Sequence, residues 1–387
     1  MKNAAHLYVK NLLGAWSRDP GGRSTEPVPL LDGVDAADVC DLLLAHHLQV
    51  LADPFLPDQV KSLSFREGLA SSRERTAFLL LELERILPAV TWADCRPVVL
   101  KGGALAQGQY TRPDQRWFLD LDILVPRGQV DEVCRRLEAV GYRRIDGNRD
   151  PLYYERHHLH RMMVGPQGST VEVHWALTLP GSHYQFDVPG VFNRAREAKL
   201  GRQTMQAASP VDQVLHAVYQ QIADGFVDLK RLCDLTLLVQ GLSGEEKLYL
   251  VNEAQRTNTG VGLWLSLHMV KHVLGAKVLW PEVETLAPGW LTTRTLRGLE
   301  VERGMLERRA ETVDGYSSLL HLLMLNRPSE RLRDTGRYVW LGEAELMDFG
   351  FRSENMPGLG RRLRLSAFFF KTLLSLGGRA TLALLRG

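Results

Sequence analysis

The sequence lacks the features that mark secreted, membrane-spanning and nucleic-acid-coating proteins. It has 4 cysteines, none of them in a C-x-x-C pair, which disfavours a disulfide or zinc framework and fits reduced thiols. The 47 basic residues barely exceed the 45 acidic ones, so no extended nucleic-acid surface is expected. No apolar run approaches the roughly 20 residues of a membrane span, and the N-terminus lacks the apolar core of a signal peptide. These absences predict a soluble, cytoplasmic protein without a transmembrane segment.

The 387 residues leave room for two or three domains. Apolar residues at helical spacing predict an N-terminal helical region over 1–95 and a C-terminal helical domain over 205–387. Between them, short apolar and alternating runs predict a core of strands mixed with helices over 96–204. The basic, Phe-rich tail at 361–387 has the composition of a lipid-surface helix or of a final packed element. Packing is favoured, because its apolar residues are many for a surface segment.

An aspartate pair interrupts the apolar sequence FLDLDILV at 118–125. Asp120 and Asp122 are two residues apart, so on a strand both carboxylates point to one face. The alternative is the solvated face of an edge strand, but Asp is a poor strand former and the neighbours predict a central, buried strand. Buried like charges repel unless a cation neutralises them. The pair therefore predicts a metal site.

A third carboxylate follows in the sequence VEVHW at 171–175. Glu172 and His174 alternate with apolar residues, so both face the same side of a strand that pairs with 161–164 in a predicted hairpin. The alternative is an amphipathic strand with a solvated face. Together with Asp120 and Asp122, Glu172 would complete an oxygen-rich site for Mg²⁺ and a nucleoside triphosphate.

Two glycines follow a predicted strand in the sequence LKGGAL at 100–105. Gly102 and Gly103 are expected in a turn, which is the usual role of such a pair. Bare backbone in front of a helix N-terminus also suits close approach to phosphate. Lys101 and Arg116 would then supply positive charge for the phosphate oxygens.

Other polar residues carry weaker signals. A zinc site at His157, His158 and His160 is disfavoured, because no cysteine lies at ligand spacing; these histidines are expected to border the phosphate or the acceptor. Lys230 and Asp234 are four apart on a helix. They form either a surface ion pair or part of a helical lid that brings a cation to the nucleotide.

Taken together, these motifs resemble a bacterial family of uncharacterised nucleotidyltransferases within the DNA polymerase β-like superfamily. The resemblance covers roughly residues 75–240, and the spaced combination is more specific than any one motif. It is carried by LKGG at 100–103, RWFLDLDILV at 116–125, GY at 141–142, VEVHW at 171–175 and the Leu-rich helix around 230–234.

The resemblance implies an α+β fold in which helices flank a small mixed β-sheet and a helical domain follows. It also implies two Mg²⁺ ions, with Mn²⁺ as an alternative, on Asp120, Asp122 and Glu172. The implied reaction moves an NMP from an NTP, ATP among them, to an acceptor hydroxyl on a small molecule or peptide, with loss of pyrophosphate. The expected nucleotide contacts are Lys101, Gly102, Gly103, Arg116, His174 and Lys230.

The sequence departs from the superfamily pattern at one place. The superfamily usually has Gly-Ser where this sequence has Gly102-Gly103, so a serine contact to phosphate is missing. Two other functions also remain: a toxin or regulator that modifies protein or RNA, and a catalytically silent nucleotide-binding module.

Overall fold

The computed structural model describes residues 2–21, 26–145, 158–312, 316–327, 329–331 and 333–334. His157 and the tail at 361–387 lie outside the described residues. Within those residues, no helix has both the length and the apolar character needed to cross a membrane.

The chain forms two compact units, each assembled from separate stretches of sequence. The first unit comprises Met1–Ala217, Lys230–Tyr249 and Leu267–Val278. The second unit comprises Val218–Leu229, Leu250–Ser266 and Leu279–Gly387.

The N-terminal part of the first unit is helical, as the spacing of its apolar residues predicts. Its helices are α1 (Lys2–Arg18), α2 (Ala36–Ala45), α3 (Gln49–Ala52) and α4 (Leu63–Val90). Helix α4 begins where the Ser62 hydroxyl accepts a hydrogen bond from the Phe65 amide at 3.1 Å, which satisfies one of the free donors at the helix N-terminus.

A seven-stranded mixed sheet follows, with the spatial order β3-β4-β5-β2-β1-β7-β6. The strands are β1 (Val98–Val99), β2 (Asp120–Leu124), β3 (Arg143–Arg144), β4 (His160–Val164), β5 (Thr170–His174), β6 (Arg196–Leu200) and β7 (Gln203–Ala207). Strands β2 and β5 are parallel, as are β1 and β7, and the other neighbours are antiparallel. The aspartate strand is therefore the fourth of seven, which confirms its predicted central position.

The helices interleaved with the sheet are α5 (Lys101–Gly108), α6 (Val130–Ala139) and α7 (Val188–Arg194). Leu121 and Ile123 of β2 pack with Val171 and Val173 of β5 in one hydrophobic core. The same core receives side chains of α4 and α6, among them Leu79, Leu83, Ile86, Val133 and Leu137. Because side chains alternate along a strand, the intervening residues of β2 and β5 point to the opposite face. The predicted hairpin of β4 and β5 is confirmed.

The rest of the described chain is helical. Its helices are α8 (Pro210–Ala223), α9 (Leu229–Gln240), α10 (Gly244–Arg256), α11 (Gly260–Leu274), α12 (Trp290–Gly298), α13 (Val301–Leu306), α14 (Arg309–Thr312) and α15 (Tyr316–Met324). In the second unit, α15 packs against α12 and α14. The predicted α+β class, with a mixed sheet, N-terminal helices and a helical C-terminal region, is confirmed.

Candidate active site

Three carboxylates come together on the face of the sheet opposite the α4 and α6 core. Asp122 of β2 is the direct neighbour of Glu172 in the parallel pairing with β5. Asp120 lies two residues earlier on β2 and shares this face. The Asp122 side chain is 1% exposed and that of Glu172 is 12% exposed. The predicted convergence of the three acidic side chains is thus present.

Lys101 extends into this acidic cluster from the start of α5. Its Nζ lies 2.5 Å from Oδ1 of Asp122 and 3.6 Å from Oε2 of Glu172. The Lys101 backbone has φ 47°, a left-handed conformation that is unusual for a residue other than glycine. Such conformations persist where the surrounding structure enforces them and are frequent at functional sites.

The two glycines lie in the first turn of α5 rather than in a separate turn, so the predicted turn is wrong. Helix α5 begins at Lys101, directly after β1. A Cβ atom on Gly102 would collide with the Cβ of Phe118, which is buried in the core. Close packing of α5 onto the aspartate segment therefore requires glycine at this position, independently of any ligand.

His174 joins the carboxylates from the end of β5. Its Nε2 lies 2.9 Å from Oδ1 of Asp122 and 3.1 Å from Oε2 of Glu172, and its side chain is 1% exposed. His160 of β4 is the pairing partner of His174, and the two rings are 4.9 Å apart between centroids. Nε2 of His160 lies 3.6 Å from Oε1 of Glu172. His160 therefore lies beside the acidic cluster, and its contact with phosphate or acceptor stays a prediction.

The two aspartates have opposite electrostatic environments. Burial and the nearby charge of Asp122 raise the pKa of Asp120 to about 6. Burial also opposes ionisation of Asp122, but Lys101 and His174 outweigh it and hold the pKa of Asp122 well below its ordinary value. The protein therefore compensates the charge of Asp122 with its own cations and leaves Asp120 poorly compensated.

The same acidic cluster changes the pKa values of the basic groups beside it. Burial alone would lower the pKa of Lys101, but Asp122 and Glu172 raise it above the ordinary value. The pKa of His174 is likewise raised, because its hydrogen bonds to Asp122 and Glu172 outweigh burial. By contrast, burial and the positive charge of His174 lower the pKa of His160 to about 4. At neutral pH His160 is therefore a neutral imidazole beside a charged cluster.

Arg116 lies in a second buried polar cluster. Its Nε and Nη2 donate to the two carboxylate oxygens of Asp234 at 2.7 and 2.8 Å, and its Nη1 donates to the carbonyl of Trp117. The hydroxyl of Tyr110 donates to Asp234 at 2.7 Å. Asp234, expected as a partner of Lys230, thus forms a bidentate pair with Arg116. The hydrogen-bond geometry favours a structural role for Arg116 over the predicted phosphate contact.

Lys230 lies close to the same segment. Its Nζ is 4.8 Å from the ring centroid of Trp117, a cation–π distance, and its residue is 8% exposed. The ring of His47 stacks on the ring of Trp117, with centroids 3.5 Å apart. The position of Lys230 on buried helix α9 argues against a solvent-exposed ion pair.

Sequence reasoning missed His216 on α8. It is 6% exposed, and burial, followed by the charges of Lys101 and His174, lowers its pKa well below the ordinary value. These effects assign His216 to the surroundings of the acidic cluster. No local motif marks a histidine on a helix that follows the sheet, so the sequence offered no signal for it.

The donor set at the cluster fits a divalent cation. Asp120, Asp122 and Glu172 supply carboxylate oxygens, the ligands that Mg²⁺ prefers, and repulsion between buried carboxylates favours a bound positive charge. One ligand atom each from His160, Glu172 and His174 also lie within 4.8 Å of one another, close enough to hold a metal ion. The face can therefore bind a cation through oxygen atoms, nitrogen atoms or both.

Among the comparisons with known proteins, the one with protein-family models agrees with the motifs. No curated protein matches the chain. Among solved structures, an antigenic nucleotidyltransferase-like protein from Paracoccidioides brasiliensis is similar, with 14% identity over 55% of this chain and 95% of that chain, and a TM-score of 0.27. The model of a family described as uncharacterised nucleotidyltransferase matches residues 38–275, a span that contains both the acidic cluster and the Arg116–Asp234 pair. The chain belongs to this family of uncharacterised nucleotidyltransferases.

Proposed function

We propose that the protein is a Mg²⁺-dependent nucleotidyltransferase that moves an NMP from an NTP to an acceptor hydroxyl and releases pyrophosphate. The observation that carries this proposal is the convergence of Asp120, Asp122 and Glu172 on one face of adjacent parallel strands. Family membership supports the same reaction class. Asp120, Asp122 and Glu172 would hold the Mg²⁺ ions.

Bound Mg²⁺ would supply the positive charge that polarises the α-phosphate and lowers the pKa of the acceptor hydroxyl. Glu172, with a partly exposed side chain, accepts the proton of that hydroxyl. The acceptor oxygen then forms a bond to the α-phosphorus, and the bond from this phosphorus to the β-phosphate bridging oxygen breaks. The electron pair of the broken bond leaves with pyrophosphate.

Lys101 is the proposed cation for the leaving pyrophosphate. Its Nζ neutralises Asp122 in the ligand-free protein, so an ion bound at Asp122 would free the ammonium group to contact phosphate oxygens. The first backbone N–H groups of α5, which include those of Gly102 and Gly103, favour an anion at the same place. The proposed role of Arg116 is structural, through its hydrogen bonds to the buried carboxylate of Asp234.

The acceptor is proposed to enter beside the histidines. His160 and His174 lie next to Glu172, and His216 lies in their surroundings. The neutral imidazole of His160 suits a hydrogen bond to a hydroxyl-bearing small molecule or peptide. The near balance of basic and acidic residues is consistent with such an acceptor and disfavours an extended RNA surface.

A second function is favoured by the internal charge pairing. Lys101 and His174 already satisfy Asp122, and a chain that needs no ion to neutralise this carboxylate suits a catalytically silent nucleotide-binding module. Such a module would bind an NTP without turning it over. The two functions therefore differ in whether the bound NTP is turned over with release of pyrophosphate.

The test is pyrophosphate release from ATP, GTP, CTP and UTP with Mg²⁺, with cell extract as the source of acceptors. The transferase predicts release from at least one NTP by the wild-type protein and its loss in Asp120→Asn. Binding of an NTP without release under any extract condition would support the silent module instead. The Lys199→Met variant, changed at an exposed residue of β6, should retain wild-type release.

A further inference from the structure

Two imidazoles and one carboxylate form a compact group at the edge of the acidic cluster. Nε2 of His174 lies 3.1 Å from Oε2 of Glu172, and Nε2 of His160 lies 3.6 Å from Oε1 of the same residue. The pairing of His160 with His174 across β4 and β5 fixes the two rings side by side. All three ligand atoms lie within 4.8 Å of one another.

This spacing matches that of ligands around a small transition-metal ion. Metal–nitrogen and metal–oxygen bonds of about 2.0–2.2 Å place neighbouring ligands of a tetrahedral ion about 3.4 Å apart. The two distances to the Glu172 carboxylate, one to each of its oxygens, fall on either side of that value. The antiparallel pairing of β4 and β5 supplies all three ligands, His160 from β4 and Glu172 and His174 from β5.

The ligand types select the metal. Carboxylate oxygens alone suit Mg²⁺, whereas imidazole nitrogens suit zinc, cobalt, nickel, copper and iron. Metal affinity of mixed nitrogen and oxygen sites also rises along the first transition row. A site with two imidazoles is therefore chemically distinct from one made of Asp120 and Asp122.

The surroundings of the two rings support this assignment. His174 is 1% exposed, and Nδ1 of His174 and of His160 are buried without a hydrogen-bond partner in the described part of the chain. The Nε2 atoms are thus the ring nitrogens directed at carboxylates, as metal-binding nitrogens would be.

We propose that His160, Glu172 and His174 bind one divalent first-row transition-metal ion, with Zn²⁺ as the natural occupant. The site goes beyond the proposed transferase function, since it forms without a nucleotide. It shares Glu172 with the Mg²⁺ carboxylates, so the two uses of the face are linked through this one side chain. Oδ1 of Asp122 contacts the same ring nitrogen of His174, so this contact would be replaced when the ion binds.

Cobalt(II) is the probe, because its visible ligand-field absorption reports the number and type of its ligands. Metal-free full-length protein is titrated with CoCl₂ in the absence of nucleotide. One Co²⁺ per chain is expected, with the strong absorption of a low-coordinate nitrogen-and-oxygen site. Excess MgCl₂ should not displace it, whereas ZnCl₂ should. Displacement of Co²⁺ by excess MgCl₂ would overturn the proposal.

The matched variants are His160→Gln and His272→Gln. His272 is an exposed histidine of α11, so its loss should leave the Co²⁺ titration unchanged. His160→Gln is expected to weaken Co²⁺ binding by at least about tenfold, with an unchanged circular dichroism spectrum. Equal Co²⁺ affinity in wild type and His160→Gln would contradict the ligand assignment.

A second measurement needs no variant. Pulsed electron paramagnetic resonance of the wild-type protein loaded with one equivalent of Cu²⁺ counts the imidazoles on the ion. Two coupled imidazoles are expected, and one or none would refute the site even if His160→Gln failed to fold. Absence of NTP turnover in a protein that passes both metal tests would count against the transferase alone.

Discussion

Nζ of Lys101 lies 2.5 Å from Oδ1 of Asp122, so the chain's own ammonium group neutralises the most deeply buried carboxylate of the acidic face. The pair joins the first residue of α5 to the centre of β2. Lys101 adopts a left-handed backbone conformation, and Gly102 allows α5 to pack closely onto Phe118. The lysine is thus held where a divalent cation would otherwise compensate the aspartate.

Removal of the lysine charge should make stability dependent on Mg²⁺. Lys101→Met keeps the length of the side chain but leaves Asp122 buried with His174 as its remaining cationic partner. Loss of one partner of a buried ion pair costs about 3–5 kcal/mol, so the metal-free variant should melt at a lower temperature than wild type. Added Mg²⁺ should recover part of the loss, because binding to the folded state stabilises it.

The control for this experiment is Lys199→Met, which removes an exposed charge on β6 and should change stability by less than about 1 kcal/mol. Wild-type melting behaviour of Lys101→Met, with no response to Mg²⁺, would mean that the Lys101–Asp122 pair is energetically unimportant.

In the metal-free protein, replacing Asp120 by a neutral residue should raise the free energy of unfolding, whereas replacing Asp122 should lower it. The pKa of Asp120 is raised from 3.8 to about 6, so its contribution to stability is present below pH 3.8 and is lost as pH rises through about 6. Asp120→Asn removes this loss. Relative to wild type, the variant should gain on the order of 3 kcal/mol across that window.

Asp122→Asn serves as the counterpart, because it leaves Lys101 and His174 without their shared carboxylate. It should be less stable than wild type at neutral pH. Urea denaturation at several pH values measures both variants, and a loss of stability in Asp120→Asn as large as that in Asp122→Asn would contradict the assigned environments.

Glu172 should act mainly on the rate of the reaction. Glu172→Gln preserves shape and hydrogen bonding but removes the proposed proton acceptor. We expect kcat for pyrophosphate release to fall by about 100-fold or more, while the Kd of the NTP changes only a few-fold. His174→Gln should be milder in kcat, because His174 positions Asp122 and Glu172. The reverse ranking would identify the histidine as the base.

The Arg116–Asp234 pair should govern stability rather than nucleotide affinity. Asp234→Asn leaves the buried guanidinium of Arg116 uncompensated and should lower the free energy of unfolding by about 3–5 kcal/mol. Arg196 and Glu246 form an exposed pair at 2.6 Å, and Glu246→Gln should cost less than about 1 kcal/mol. Chemical denaturation compares the two variants.

Nucleotide affinity measured on folded protein decides the alternative role of Arg116. The structural role predicts an Arg116→Lys variant with reduced stability and near wild-type NTP affinity. Reduced NTP affinity at unchanged stability would restore the phosphate contact expected from the sequence.

The strand patterns were predictable from the sequence because side chains alternate with a period of two. That rule places Asp120 with Asp122 and Glu172 with His174. The turn residues at 165–168 predict the hairpin, but the predicted strand at 161–164 stops short of His160, which pairs with His174. The pairing of Lys101 with Asp122 depends on where α5 begins, and two consecutive glycines indicate a turn more readily than a helix. Arg116 and Asp234 are 118 residues apart, so no local pattern predicts their contact.

The central claim is that the acidic face binds an NTP through a divalent cation, and equilibrium dialysis of the four NTPs tests it most directly. Wild-type protein, Asp120→Asn and Lys199→Met are compared with Mg²⁺ and with EDTA. The account predicts that wild type and Lys199→Met bind at least one NTP only when Mg²⁺ is present, and that Asp120→Asn does not bind it. NTP binding that persists in EDTA and in Asp120→Asn, or binding of no NTP by the wild type, would contradict the account.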